Sequence, residues 1–276
     1  MDREHKLQQL ISNLQRFDKI AVAFSGGVDS TLLLKAAADA IGAQQVLALT
    51  VTSPLHPASE TDQSRALASR IGAKQLLVEL NELDIIEVAA NQPRRCYYCK
   101  RALFSKLQQL AIENSCSILL DGSNRDDLAD YRPGQQALKE LQIKSPLLEV
   151  GLDKAEVRNL SRQLGLPTWD KPAFACLASR FPYGTRLTIE RLQQVERCEN
   201  WLRQRGFNNY RVRYHDQLAR IELVPTDFPR LIEEPLRSQL LEEFRAAGFT
   251  YICLDLQGYR IGSMNETLSE QDNPLQ

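Results

Sequence analysis

The residues with the clearest chemistry lie in the stretch SGGVDS, between an apolar run and an amphipathic run. A turn from a strand into a helix leaves backbone N–H groups unpaired at the positive end of the helix dipole, where they bind phosphate. Gly26 and Gly27 would let a phosphate approach the backbone, and Ser25 and Ser30 add hydroxyl groups. Asp29 would repel a triphosphate on its own, so we expect it to hold Mg²⁺. Since no lysine follows the turn as in a Walker A loop, the sequence predicts another type of phosphate cradle.

Three cysteines form the second candidate group. Cys96 and Cys99 stand in a CxxC pair, and Cys176 follows in a distant loop. A CxxC pair alone fits a redox dithiol, half a zinc site or cluster ligands. Zinc would need a fourth ligand, for which His215 is a weak candidate, whereas three cysteines suit a [4Fe–4S] cluster with one open iron that can hold sulfide. The other cysteines are interpreted as small buried residues: Cys116, Cys198 and Cys253.

These residues must be positioned by the surrounding elements, which alternate between short apolar runs and amphipathic runs. This alternation predicts an α/β fold, a doubly wound parallel sheet covered by helices on both faces, with ligands at the carboxyl ends of its strands. One helix is bounded by Asp153 as N-cap and Gly165 as stop signal. The predicted strands are 19–24, 46–51, 74–80 and 117–122, and the predicted helices are 31–41, 60–72, 100–114 and 153–165.

A segment with three prolines, LPTWDKPAFACLASRFPYGT, interrupts this alternation. We interpret it as a domain boundary, with one domain over residues 1–170 and a second over residues 171–276. The second is expected to be a smaller α+β domain for substrate binding, sulfur transfer and oligomerisation. Its predicted helices are 188–206 and 228–247, and its predicted strands are 210–216, 218–224 and 251–258.

Composition limits the possible partners. The chain has 276 residues, with 34 basic against 35 acidic side chains and a formal net charge of −1. A general nucleic-acid binder would usually carry a basic surplus. The first ten residues include several charged side chains and lack the apolar segment of a signal peptide. No apolar run approaches membrane-spanning length. We therefore expect a cytoplasmic protein with neither a membrane nor a nucleic acid as partner.

Longer motifs resemble one family. SGGVDS resembles the signature of the PP-loop ATP pyrophosphatases, which have a Rossmann-like fold. AFSGGVDSTLLLK, DGSNRDDLADYRPG, SRFPYGT, YRVRYHD, ARIEL and LDLQGYRIGSMN occur in this order in the LarE family, the PP-loop sulfur transferases of nickel-pincer nucleotide cofactor synthesis. The resemblance covers nearly the whole chain.

This resemblance implies a reaction. ATP·Mg adenylates a carboxylate of pyridinium-3,5-biscarboxylic acid mononucleotide and pyrophosphate leaves. Sulfur then displaces AMP to give a thiocarboxylate, and the second carboxylate follows in the same way. The chemistry is sound, because a free carboxylate is a poor electrophile and AMP turns it into an acyl donor. A hexamer is implied as well.

The source of the sulfur is open between two mechanisms. The family cysteine aligns with Cys176, which gives up its own sulfur and becomes dehydroalanine in single-cysteine members. Cys96 and Cys99 make this chain resemble the members that bind a [4Fe–4S] cluster. We favour the cluster, supplied by a sulfide donor, over sacrifice of Cys176.

The resemblance assigns roles to other residues, each of which could also be an ordinary surface position. After the strand at 117–122, a polar loop would face ATP and Mg²⁺: Gly122, Asn124, Asp126 and Asp127. A second group would bind the substrate, chiefly its phosphate: Ser179, Arg180, Arg211 and Arg213. Glu199 and Glu222 weakly resemble metal-binding positions of the family.

Three alternative functions remain at this stage. A PP-loop tRNA thiolation enzyme would share the cysteines, but the charge balance is against RNA binding. A non-enzymatic adenine-nucleotide sensor would have no use for Asp29 with Mg²⁺ or for the cysteines. Synthetases that amidate with ammonia share the loop without needing the cysteine set.

Overall fold

The structure is a computed structural model that describes residues 3–128, 133–172, 176–260 and 263–264. Parts of the family motifs at 129–132, 261–262 and 265 and part of the proline-rich segment at 173–175 lie outside the described residues. The chain forms two compact units. The first comprises the described residues of Met1–Glu82 and Arg94–Phe174, and the second those of Leu83–Pro93 and Ala175–Gln276. The domain boundary after residue 170 stays a prediction.

The elements follow the predicted alternation. The strands are β1 (Ile20–Ala23), β2 (Val46–Thr52), β3 (Lys74–Glu79), β4 (Ile118–Leu120), β5 (Tyr210–His215), β6 (Leu218–Leu223) and β7 (Tyr251–Leu254). The helices are α1 (Arg3–Leu14), α2 (Val28–Ile41), α3 (Ala58–Ile71), α4 (Ile86–Ala89), α5 (Arg95–Glu113), α6 (Pro133–Glu140), α7 (Pro146–Glu149), α8 (Lys154–Gln163), α9 (Ile189–Gln204), α10 (Phe228–Ile232) and α11 (Leu236–Ala246). Among the described residues, no helix is long and apolar enough to cross a membrane.

The first unit is built on a parallel sheet in the order β3-β2-β1-β4. Neighbouring residues of β1 pack against helices on opposite faces, as the doubly wound prediction requires. Ile20 and Val22 join one core with the leucines of α2, while Ala21 joins another with Phe104 and Leu107 of α5. The predicted fold class is confirmed. All four strands end at one edge, where β1 leads into the glycine turn.

The second unit contains a smaller sheet in the order β5-β6-β7. β5 and β6 pair antiparallel, and β7 adds in parallel to β6. Residues 83–93 also belong to this unit, which the sequence analysis did not predict. Asn91 explains the placement, because its side-chain amide donates hydrogen bonds to the carbonyls of Phe181 and Pro182.

Several local predictions are confirmed and others are wrong. Asp153 caps α8 in a capping box with Glu156, as predicted. The predicted helix 228–247 is two helices, because Pro235 lacks the N–H that a continuous helix needs at that point. Cys116 and Cys198 are buried as predicted, but Cys253 is exposed, because it lies with Tyr251 on the exposed face of β7.

The predicted position of the CxxC pair outside the helix is also wrong. The predicted helix began at residue 100 and left the pair in the preceding connection. The structure begins α5 at Arg95, so Cys96 and Cys99 lie in its first two turns. Residues three apart on a helix share a face. Cys96 is exposed and Cys99 half-buried.

Candidate active site

The glycine turn has the geometry of a phosphate cradle. Gly26 adopts a φ of +71°, and a Cβ there would lie 3.1 Å from the Cβ of Ser64, so a larger residue would be strained and crowded. Gly27 is the N-cap residue of α2 and has no side chain. The N-cap residue therefore leaves the first backbone N–H groups of the helix open to a ligand. The hydroxyls of Ser25 and Ser30 lie 3.1 Å apart at the same turn.

The loop after β4 lies directly against this turn. A Cβ on Gly122 would lie 3.0 Å from the backbone nitrogen of Ser30, so a larger residue would have to push the start of α2 away. The amide of Asn124, which is 2% exposed, donates to the Asp29 carboxylate at 3.0 Å. Asp127 in turn accepts the backbone N–H of Asn124 at 2.9 Å. The residues predicted to bind ATP and Mg²⁺ therefore gather at one edge of the sheet.

Two lysines that the sequence analysis missed also reach the turn. Lys154, the first residue of α8, places its ammonium 2.5 Å from the second carboxylate oxygen of Asp29. Lys171 donates to the carbonyl of Gly26 at 3.1 Å and pairs with Glu60 at 2.6 Å. The cationic charge that a Walker A loop carries within the loop thus comes from two later segments. The only sequence signal was the cap at Asp153, which fixes where α8 begins.

The second unit gathers arginines around the Cys176 segment. Arg180 is 1% exposed and forms two bonds of 2.9 Å with Glu199. It also donates to the Cys176 carbonyl at 3.1 Å and to the Ser179 hydroxyl at 3.0 Å. Burial disfavours the charged form, but the Glu199 carboxylate outweighs it, so the pKa of Arg180 is raised. Arg180 stays a cation and fixes the backbone beside Cys176.

Arg213 is the second buried arginine of this cluster. It pairs with Glu222 at 2.6 Å and donates to the Ser179 carbonyl at 3.0 Å. Glu222 is fully buried, forms a second ion pair with Arg220 and accepts a hydrogen bond from Ser263. Both glutamates of this cluster are therefore engaged by arginines. Among the described residues, no three His, Cys, Asp or Glu side chains are grouped to hold a metal ion, and a metal role for the glutamates stays a prediction.

Arg211 differs from the two other arginines. It is half-buried and donates to the Tyr210 carbonyl at 2.6 Å and to the Tyr259 hydroxyl at 3.4 Å. Burial, followed by the positive charge of Arg180, lowers the pKa of Arg211. A bound anion would relieve this repulsion between like charges. A role for Arg211 in binding the phosphate of the substrate stays a prediction.

The predicted cluster ligands are divided between the units. Cys96 and Cys99 belong to the first unit and half-buried Cys176 to the second. Cys176 directly precedes the 3₁₀ turn Leu177–Arg180, which carries Ser179 and Arg180. A [4Fe–4S] cluster on the three cysteines stays a prediction.

Comparison with known proteins agrees with this geometry. A PP-loop domain model matches residues 1–132. A pyridinium-3,5-bisthiocarboxylic acid mononucleotide synthase of Lactiplantibacillus plantarum is 38% identical over 96% of this chain and 95% of its own length. An uncharacterised protein of Synechocystis sp. is 45% identical over 97% of this chain and 99% of its own length. An uncharacterised protein of Methanocaldococcus jannaschii is 31% identical over 92% of this chain and 97% of its own length. The chain therefore belongs to the LarE family of PP-loop, ATP-dependent sulfurtransferases.

Proposed function

We propose that this enzyme adenylates the carboxylates of pyridinium-3,5-biscarboxylic acid mononucleotide and converts them to thiocarboxylates. The observation that carries the proposal is the arginine cluster of the second unit, in which Arg180 and Arg213 hold the backbone of Cys176 and Ser179. An anionic substrate and a sulfur-handling residue would share that cluster. The related synthase, named for pyridinium-3,5-bisthiocarboxylic acid mononucleotide, supports this substrate.

The residues of the first unit fit ATP. Backbone N–H groups at the start of α2 would bind its phosphates, and Lys154 and Lys171 would offset their charge. Mg²⁺ is bound in such sites by one or two carboxylates together with phosphate oxygens. Asp29 fits that requirement, with Asn124 orienting its carboxylate. When bound, Mg²⁺ would neutralise charge on the phosphates.

The residues of the second unit fit a mononucleotide. Arg211 is the arginine with the electrostatics for a phosphate, and the Ser179 hydroxyl is a nearby donor of the same cluster. Arg180 and Arg213 are engaged by glutamates, so we assign them to positioning the site. Of the four residues predicted to bind the substrate, we therefore assign Arg211 and Ser179 to its phosphate.

For the sulfur, we propose a [4Fe–4S] cluster held by Cys96, Cys99 and Cys176. The donor set fits such a group, because thiolates are its usual ligands and the pair lies on one helix face. When bound, the cluster would supply sulfide from an external donor. The alternative is that Cys176 gives up its own sulfur.

Whole-protein mass spectrometry after turnover separates these two mechanisms. The cluster mechanism predicts that Cys176 keeps its mass, that repeated turnover depends on added sulfide, and that each single change to alanine loses the cluster. Cluster-loaded enzyme lighter by one H₂S, with the loss mapped to Cys176, would support sacrifice instead.

Asp29→Asn tests the ATP site. The amide keeps the size of the side chain but removes the charge that would bind Mg²⁺, so pyrophosphate release should fall to background. Asp39→Asn is the matched control, since Asp39 pairs with Lys35 on the exposed part of the same helix. Near-normal release by the Asp29 variant would contradict the assignment. The hexamer and the cytoplasmic location stay predictions.

A further inference from the structure

The backbone of Tyr259 is held closely against the end of β6. Its N–H donates to the carbonyl of Leu223, at the end of β6, at 2.8 Å. The preceding Gly258 has a φ of +75°, and a Cβ there would lie 2.8 Å from that same carbonyl oxygen. Only glycine permits this approach. The position of the tyrosine side chain is therefore set by the fold of the sheet.

The ring of Tyr259 forms a pair with the proposed phosphate ligand. The guanidinium carbon of Arg211 lies 5.1 Å from the ring centroid, and Tyr259 is only partly buried. The guanidinium covers one face of the ring. Among the described residues, Tyr259 therefore keeps part of its surface open to a further contact.

We infer that Tyr259 binds the heteroaromatic ring of the substrate while Arg211 binds its phosphate. This inference rests on the proposed function, in which the substrate is a pyridinium mononucleotide. In a mononucleotide one ribose separates phosphate from ring, so neighbouring residues can bind both. A pyridinium ring is cationic and electron-poor, and the electron-rich face of tyrosine attracts cations. Tyr259 would thus select for ring charge.

The alternative is that Tyr259 only positions Arg211, through the hydrogen bond that its hydroxyl accepts. Two variants separate these roles. Tyr259→Phe keeps the aromatic face and removes the hydroxyl, while Tyr259→Leu removes the face. Two probes separate ring charge from the other contacts: nicotinic acid mononucleotide has a cationic ring, and orotidine 5′-monophosphate has a neutral one. Both carry one carboxylate and one phosphate.

The test measures the Kd of each probe by titration calorimetry on the full-length chain. Tyr259→Leu should raise the Kd of nicotinic acid mononucleotide by about fivefold to thirtyfold. The Kd of orotidine monophosphate should rise much less. Tyr259→Phe should leave both probes within about twofold of wild type. Thermal unfolding of each variant reports whether both units are folded, because Tyr259 belongs to the second unit and ATP binding would report on the first alone.

Three results would overturn the inference. Equal weakening of both probes by Tyr259→Leu would mean that the tyrosine acts through Arg211. Weakening by Tyr259→Phe as strong as by Tyr259→Leu would assign the role to the hydroxyl. Tyr259→Leu binding both probes like wild type would remove the residue from the site. Failure of wild type to bind either probe would instead contradict the proposed function, and with it the inference.

Discussion

Lys171→Met should weaken ATP binding strongly, because the lysine joins the glycine turn to a buried acid. Its ammonium lies 2.6 Å from Glu60 and 3.1 Å from the Gly26 carbonyl, and both charged side chains are 13% exposed. The other Glu60 oxygen is buried with no hydrogen-bond partner among the described residues. Losing one charge-assisted bond to phosphate costs about 1.5–3 kcal/mol, which corresponds to roughly 10- to 150-fold in Kd.

The same change also leaves Glu60 buried without its cation. Breaking a buried pair by removing one partner costs about 3–5 kcal/mol, less where water still reaches it, so the Tm should fall as well. Adding Glu60→Gln removes the stranded charge. The double variant should therefore recover most of the Tm while ATP binding stays weak, because the phosphate contact is still missing.

The assay is calorimetric titration with ATP·Mg and thermal unfolding of wild type, both single variants and the double variant. Lys35→Met is the matched control, since Lys35 pairs with Asp39 at the surface of α2 and should change neither quantity much. Wild-type ATP affinity in the double variant would refute the reasoning. Lys171 would then serve only to neutralise Glu60.

Three further predictions follow from single contacts. Arg211→Ala should weaken mononucleotide binding with little change in Tm, whereas Arg213→Ala should lower the Tm because Glu222 loses a buried partner; paired binding and melting measurements compare them. Gly122→Ala should reduce ATP affinity, since its Cβ would push the start of α2, and calorimetry measures this. Burial raises the pKa of Glu82, so the folded state holds that proton more tightly than the unfolded chain and stability falls as pH rises above the ordinary carboxyl range. Glu82→Gln should therefore melt above wild type by a margin that grows with pH.

The parts of the fold carried by local patterns were predictable. Alternating apolar and amphipathic runs predicted the parallel sheet, and the cap at Asp153 predicted the start of α8. The glycine turn was predictable because its residue types have few other uses between a strand and a helix.

Long-range contacts were not predictable in this way. Lys154 and Lys171 reach the turn from 125 and 145 residues away in sequence, and no local pattern indicates which lysine does so. The return of residues 83–93 to the second unit depends on the buried amide of Asn91. The resemblance assigned the same role to Arg211 and Arg213. Their contacts in the structure distinguish them, because Arg213 pairs with Glu222 and Arg211 contacts Tyr259.

Pyrophosphate release by the wild-type enzyme is the most direct test of the central claim. The enzyme would be given ATP·Mg with pyridinium-3,5-biscarboxylic acid mononucleotide, with unmodified tRNA, or with neither. We expect release that depends on the mononucleotide and is not stimulated by tRNA. Stimulation by tRNA without any response to the mononucleotide would contradict it and favour tRNA thiolation.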